Sequence, residues 1–272
     1  METNERKELT LSQIQQGSFE VLLKVKEICE KLQINYYLAY GTLIGAARHS
    51  GFIPWDDDID VWMFRKDYET FVRYCLDNKE SLYPFEILNY SNTKYYPYPI
   101  SRLSDSRYKT EYSNCKDYGL GLFVDLYPLD RVDIRNDKFK KKQLRKVRNI
   151  CRLYDENRNF KSFLRRLYVI ALLTVTFCFS RKKYIKSADI SAQKYNQTKE
   201  AKHLAVCAWE FDWRPDKEQD FIGEKKELMF NGVLFQVPSN YHSVLTNHYG
   251  DYTQLPPPEQ RIAHHDYKAF LK

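Results

Sequence analysis

The ten residues Trp55–Phe64, WDDDIDVWMF, constrain the fold more than any other stretch of the chain. Three consecutive aspartates run into a segment where a fourth alternates with apolar residues. If the chain is extended from Asp58 onward, alternate side chains share a face. Asp58, Asp60 and Trp62 then point one way, and Ile59, Val61 and Met63 the other. The apolar set calls for a core. The acidic set holds two carboxylates side by side, where like charges repel and raise each other's pKa unless a cation joins them. A divalent ion resolves that conflict, and Mg²⁺, or Mn²⁺ in its place, takes carboxylate oxygen together with substrate phosphate. The plain alternative, an acidic surface turn, is disfavoured because the pair opens an apolar strand.

A third carboxylate is expected on a neighbouring strand, and Leu120–Leu126 (LGLFVDL) supplies Asp125. Embedded among apolar residues, its charge would be costly alone. It either completes the metal site or pairs with a core arginine. Asp130, just before Arg131, reads as a cap or salt-bridge residue. Upstream, 35–40 (NYYLAY) reads as a buried strand, Gly41-Thr42 as a tight turn and Leu43–His49 as a short helix. Backbone N–H groups at a turn that opens a helix favour phosphate. Arg48 on that helix is a natural phosphate fork or a surface salt-bridge partner. Asp57 is placed to support the carboxylate pair from behind, and Asp56 reads as a turn residue.

The remaining pattern indicates an α/β (α+β) chain with a mixed sheet and flanking helices. An amphipathic helix follows Ser12 as N-cap, and Asp67–Asp77 is a second helix. Further strands are read at Phe85–Asn89, around Glu227–Phe230 and at Val233–Val237, with Asn231-Gly232 as a hairpin turn. A last helix runs from about Asn240 to Tyr249. Six scattered cysteines with no C-x-x-C argue against a disulfide framework or a cysteine zinc site. The polar N-terminus is unlike a secretory signal, which points to the cytoplasm.

The net charge of +7 is unevenly spread. Between Arg131 and Lys186, Lys and Arg outnumber Asp and Glu 18 to 4, and the remainder of the chain is net acidic. The same segment holds the most apolar run, Leu167–Phe179. At thirteen residues it is shorter than the roughly 20 needed to span a bilayer. With basic flanks it suits an interfacial position on anionic lipid at the inner membrane face, or else it is a buried core helix. Three parts follow: residues 1–130 as a core, 131–200 as a basic helical insertion, and 201–272 completing the core.

The run YYLAYGTLIGAARHSGFIPWDDDIDVWMFRKDYETF (36–71) resembles the LicD family of phosphorylcholine transferases, and through it fukutin and fukutin-related protein. GLFVDLYPLD (121–130) and HYGDYTQLPPPEQRIAHH (248–265) extend the match along the chain. The resemblance implies a nucleotidyltransferase fold, with residues 1–130 as its catalytic core and the acceptor site in 201–272. It also implies that Gly41 and Thr42 receive phosphates, Asp58 and Asp60 bind metal, and Asp125 is the third acid. Arg102 in ISRLSD (100–105) is the basic residue expected between the acidic motifs, and His264, beside His265, is a candidate for the acceptor site. The implied reaction moves phosphorylcholine from CDP-choline to a sugar hydroxyl on a lipid-linked glycan precursor of teichoic acid or lipopolysaccharide. An aromatic cage would suit choline, with Trp55 and Trp62 as candidates that could equally be core. A CDP-ribitol or CDP-glycerol donor is the alternative within the family. A non-catalytic membrane-surface binder is the alternative outside it. A nucleic-acid substrate is disfavoured because no stacking platform or nucleic-acid module is recognisable.

Overall fold

The computed structural model describes residues 7–113, 115–154, 167–168, 170–171, 174, 181–210, 213–262 and 267–272. Helix α1 (Leu11–Leu32) opens on Thr10 rather than Ser12. The Thr10 hydroxyl accepts from the Gln13 N–H, and the Gln13 side chain accepts from the Thr10 N–H, a reciprocal capping box. The short strand β1 (Tyr37–Leu38) leads into α2 (Tyr40–His49). Gly41 and Thr42 therefore lie inside the first turn of α2 instead of forming a separate turn before it. Strand β2 (Asp60–Phe64) passes directly into α3 (Arg65–Asp77), then a single turn, α4 (Lys79–Leu82). Strands β3 (Phe85–Leu88), β4 (Ser101–Asp105), β5 (Tyr108–Tyr112) and β6 (Leu122–Val132) follow.

The main sheet runs β1-β2-β6-β4-β3. Only β2 and β6 are parallel, and the other neighbours are antiparallel. The far end of β6 pairs with β7 (His203–Ala205), which pairs with β8 (Asp216–Lys217). This is an α+β architecture built on a mixed sheet. One face of the sheet packs on α1 and α3. There Val61, Met63, Leu103, Val124 and Leu126 meet Val21, Leu22, Val25 and Phe71, all essentially sealed from water. Each such side chain contributes roughly 1.5–3 kcal/mol on burial, which fixes the register of the strands. With these residues inward, Asp60, Trp62, Asp125 and Tyr127 are carried to the opposite face.

The basic segment opens on the end of β6 and continues as α5 (Asp137–Tyr154) and α6 (Arg181–Ala192). Most of the apolar run Leu167–Phe179 lies outside the described residues. The two helices pack through Ile150, Ile185 and Ala188. The Gln143 amide donates to the carbonyls of Ala188 and Cys207, at 2.8 and 3.1 Å. Asp130 takes the Arg65 guanidinium in a two-pronged pair of 2.8 and 2.5 Å, and Arg65 also reaches Asp189 on α6 at 2.8 Å. Strands β9 (Lys226–Phe230) and β10 (Val233–Val237) form the expected hairpin. Helix α7 (Tyr241–Tyr249) is capped by Asn240, and β11 (Tyr267–Leu271) pairs with β5. Among the described residues no helix is long and apolar enough to cross a membrane.

Candidate active site

The register of the sheet lines up three charged residues. Asp60 on β2 lies opposite Asp125 on β6, and Asp125 lies opposite Arg102 on β4. Arg102 grips Asp125 with two nitrogens, at 2.5 and 3.2 Å, while a third nitrogen donates to the Tyr118 hydroxyl at 2.7 Å. The guanidinium is sandwiched between the rings of Tyr98 and Phe123, at 4.3 and 4.2 Å. Asp125 thus forms the core ion pair while standing next to Asp60. It lies behind the cavity wall, which Asp56, Asp58 and Asp60 form.

Asp60 is buried, and its Oδ1 has no hydrogen-bond partner. Burial raises its pKa well above the usual carboxylate range. Asp58, Asp125 and Asp56 raise it further, opposed by the Tyr127 hydroxyl. A buried carboxylate with an orphan oxygen, hemmed in by other carboxylates, is a set of hard oxygen donors short of a cation. That donor chemistry fits Mg²⁺.

The loop that delivers the aspartates is pinned from several sides. Gln15 on α1 donates to the Asp56 carbonyl at 2.8 Å, and the Tyr267 hydroxyl to the Asp57 carbonyl at 3.0 Å. The Thr42 hydroxyl accepts the Asp60 N–H at 2.9 Å, which ties α2 to the start of β2. One carboxylate oxygen from each of Asp56, Asp57 and Asp58 lies within 4.8 Å of the others. Asp56, read from sequence as a turn residue, is therefore part of the acidic wall. Asp57 is buried and does not line the cavity.

The cavity is about 890 Å³ and opens in front of these carboxylates. Helix α2 forms one side through Tyr40, Gly41, Ile44 and Arg48. Its N-cap, Ala39, supplies no side-chain cap, and no acid sits in the first turn. The start of this helix carries the positive end of its dipole toward the cavity. A Cβ on Gly41 would stand 2.6 Å from Asp56 Oδ2, so any larger residue there would displace the Asp56 carboxylate from its place against α2. Arg48 lines the cavity, but one of its nitrogens donates to the carbonyls of Tyr252 and Gln254, at 2.9 and 3.0 Å. It clamps the segment after α7 against α2.

The structure separates the two candidate tryptophans. Trp62 is 1% exposed, wedged among Tyr40, Phe221 and His248, and belongs to the core. Trp55 lines the cavity with Tyr249 and Tyr252, and the Arg261 guanidinium lies 5.7 Å over its ring. A cation-accepting aromatic face is thus present in the cavity. His264 lies outside the described residues. Sequence reasoning missed Tyr40, Tyr249 and Tyr252 as cavity residues, although all three lie in the family-like runs 36–71 and 248–265. It also missed Glu210, which no motif marks. Glu210 accepts a hydrogen bond from the Tyr40 hydroxyl, and burial pushes its carboxyl up to about 7.

Residues 33–157 match the family model described as LicD/FKTN/FKRP, nucleotidyltransferase domain, a span that contains the whole carboxylate row. The chain is 30% identical over 285 residues to the lipopolysaccharide cholinephosphotransferase LicD of Haemophilus influenzae, covering 97% of this chain and 99% of that protein. A shorter match, 42% over 40 residues, links 15% of the chain to 8% of the ribitol 5-phosphate transferase FKRP of Homo sapiens and of Mus musculus. Fold and site define a nucleotidyltransferase-type domain. Within that class, the chain belongs to the LicD family.

Proposed function

We propose that this protein is a phosphotransferase of the LicD type that moves phosphorylcholine from CDP-choline to a sugar hydroxyl of a bacterial cell-surface glycan precursor, releasing CMP. The observation that carries the reading is the orphan Oδ1 of buried Asp60 beside Asp58 at the foot of an aromatic-walled cavity. The relative that aligns along nearly the whole chain carries the corresponding name, a lipopolysaccharide cholinephosphotransferase. Teichoic-acid precursors are the other acceptor class.

Asp58 and Asp60 are the residues that would hold Mg²⁺, which when bound supplies charge neutralisation on the donor diphosphate. The uncapped first turn of α2, with Gly41 and Thr42, offers backbone N–H groups to the same diphosphate. Trp55 and Tyr249 form the wall that suits a quaternary ammonium. Arg102 fixes Asp125 in one orientation directly opposite Asp60 in the sheet, so the pair supports the metal-holding carboxylates from behind the cavity wall. The acceptor oxygen bonds to the choline-bearing phosphorus as the bond to the CMP oxygen breaks, and the hydroxyl proton is released. Arg48 contributes by holding the segment that closes the cavity.

The match to FKRP supports a second reading, in which a CDP-polyol is the donor. Calorimetry with CDP-choline, CDP-ribitol and CDP-glycerol, paired with CMP release in Mg²⁺, tests both. Tighter binding and turnover with CDP-choline is the expected result. A preference for CDP-ribitol would move the protein to the polyol branch. Absence of CMP release with all three would leave a binding protein on a transferase fold.

The cationic face supports contact with anionic membrane lipid. Lys138, Lys141, Lys142, Arg145 and Arg148 on α5 are exposed, as are Lys182 and Lys186 on α6. Leu167, Tyr168 and Ile170, the large described residues of the apolar run, are also exposed. The Tyr168 hydroxyl donates to Asn149 on α5 at 3.0 Å, so these apolar groups sit beside the basic helix. Basic and apolar groups exposed together suit a peripheral position at the inner membrane face, where a lipid-linked acceptor would be presented. Flotation with phosphatidylglycerol vesicles at low salt and loss of flotation at high salt are expected. Protein that stays at the bottom of the gradient at low salt has no such surface.

A further inference from the structure

We infer that Glu210 is a positioning residue: it holds the Tyr40 phenol and, through Tyr40, sets the first turn of α2 for the donor diphosphate. The inference rests on the reading of the cavity as a donor site. Tyr40 is the first residue of α2 and has φ +43°, a left-handed conformation that non-glycine residues seldom adopt. Such a conformation persists only where surrounding contacts over-determine it. The contacts are present here. The hydroxyl donates to Glu210, and the ring packs edge-on against Trp62 at 4.7 Å and Tyr127 at 5.3 Å, with His248 at 5.9 Å.

Glu210 reaches Tyr40 from a distant part of the chain, a turn just after β7 where its N–H bonds the Val206 carbonyl at 3.0 Å. Its second carboxyl oxygen is sealed from solvent and has no hydrogen-bond partner. A half-satisfied buried acid is a poor stabilising device compared with an apolar side chain of the same size. What it supplies is a fixed acceptor for one phenol. The backbone of Tyr40 leads directly into Gly41, packed against Asp56, and Thr42, whose hydroxyl holds the Asp60 N–H. Releasing the phenol lets Tyr40 relax toward negative φ, and the helix start and its grip on β2 move with it.

Four variants test this: E210A, E210Q, Y40F and the double variant E210A/Y40F. Two readouts are needed. The first, without ligand, is hydrogen exchange at the amides of Ala39, Leu43 and Asp60, each hydrogen-bonded around this turn at 3.0, 3.0 and 2.9 Å. The second is the affinity for CDP-choline by calorimetry, with the split between KM and kcat. E210A and Y40F should each speed exchange and raise KM by about tenfold, the scale of one lost buried hydrogen bond, with kcat nearly unchanged. E210Q keeps a carbonyl acceptor for the phenol and should stay close to wild type on both readouts. The double variant should be no worse than either single one, because both remove the same contact.

Unchanged exchange in E210A and Y40F, equal damage from E210Q and E210A, or additive effects in the double variant would each overturn the inference. E210Q and Y40F are nearly isosteric with wild type, so the test survives misfolding of E210A. If wild type binds no CDP-choline, the donor reading fails alone, and the exchange data still decide the role of Glu210.

Discussion

Asp60 and Asp130 are both buried aspartates on neighbouring central strands, and their surroundings are opposite. Asp130 is fully enclosed and fully served: Arg65 donates twice, and the Asn196 amide donates at 2.7 Å. It ties α3, β6 and the segment after α6 together. Asp60 has an oxygen with no partner and carboxylates on three sides. Burial alone therefore does not distinguish a structural acid from a functional one. The distinction lies in whether the protein supplies the countercharge itself. At Asp130 it does. At Asp60 the described residues leave one oxygen without a partner, and in the proposed function a cation bound from the cavity takes that place.

The comparison predicts opposite responses to the same substitution. Asp60→Asn should lower turnover about a hundredfold or more, as loss of a charge-stabilising group does. In metal-free buffer it should raise Tm, because it relieves repulsion among the carboxylates. Asp130→Asn should leave turnover per folded molecule near wild type. It leaves Arg65 with Asp189 as its remaining carboxylate partner, and breaking a buried pair costs up to about 3–5 kcal/mol, so Tm should fall by up to about ten degrees. Parallel thermal melts and CMP assays check both. Two variants that melt alike would erase the distinction.

Glu210 sharpens the comparison from a third side, being a buried acid that keeps a proton. Its carboxyl is raised from the ordinary value of 4.5 to about 7, chiefly by burial, against the pull of Tyr40 and His248 and with Asp216 nearby. Between these values the folded chain holds a proton that the unfolded chain has released. Stability should therefore be greatest below pH 4.5 for this group and fall as pH rises toward 7, by at most about 1.4 kcal/mol per pH unit. Urea unfolding of wild type and E210Q at pH 5 and pH 7.5 measures the difference. E210Q should lose that part of the slope. The smallest effect is expected at Trp55, where removal of one aromatic face costs about 1 kcal/mol of cation binding. Trp55→Ala should raise KM for CDP-choline several-fold and leave KM for CDP-glycerol unchanged. Equal effects on both donors would place Trp55 outside the choline subsite.

What could be read in the sequence followed from periodicity. The alternation from Asp58 to Met63 put carboxylates and core on opposite faces of one strand. Asp125 stood out as a lone charge in an apolar run. The polar strands were harder to see. Ser101, Arg102, Ser104 and Asp105 make up most of β4 and are all buried, so the strand has no apolar pattern. Three find partners from afar, Ser101 with the Tyr68 hydroxyl at 2.7 Å, Arg102 with Asp125 and Ser104 with the Gly121 N–H at 2.8 Å, while Asp105 pairs locally with Arg107. Strand β6 reads from sequence as Leu120–Leu126, yet it spans Leu122–Val132, with Pro128 inside it. The cavity wall after α7 and the Tyr40–Glu210 contact depend on chain segments far apart in sequence, for which local pattern carries no signal.

The central claim is that Asp60 is an acid whose missing countercharge is a divalent cation needed for transfer. CMP released from CDP-choline by wild type, D60N and D130N tests it most directly, each assayed with Mg²⁺ and with chelator at equal folded fraction. The account predicts release from wild type and D130N in Mg²⁺, none from either with chelator, and next to none from D60N in any condition. CMP release from wild type that ignores chelation, or wild-type release from D60N, would contradict it.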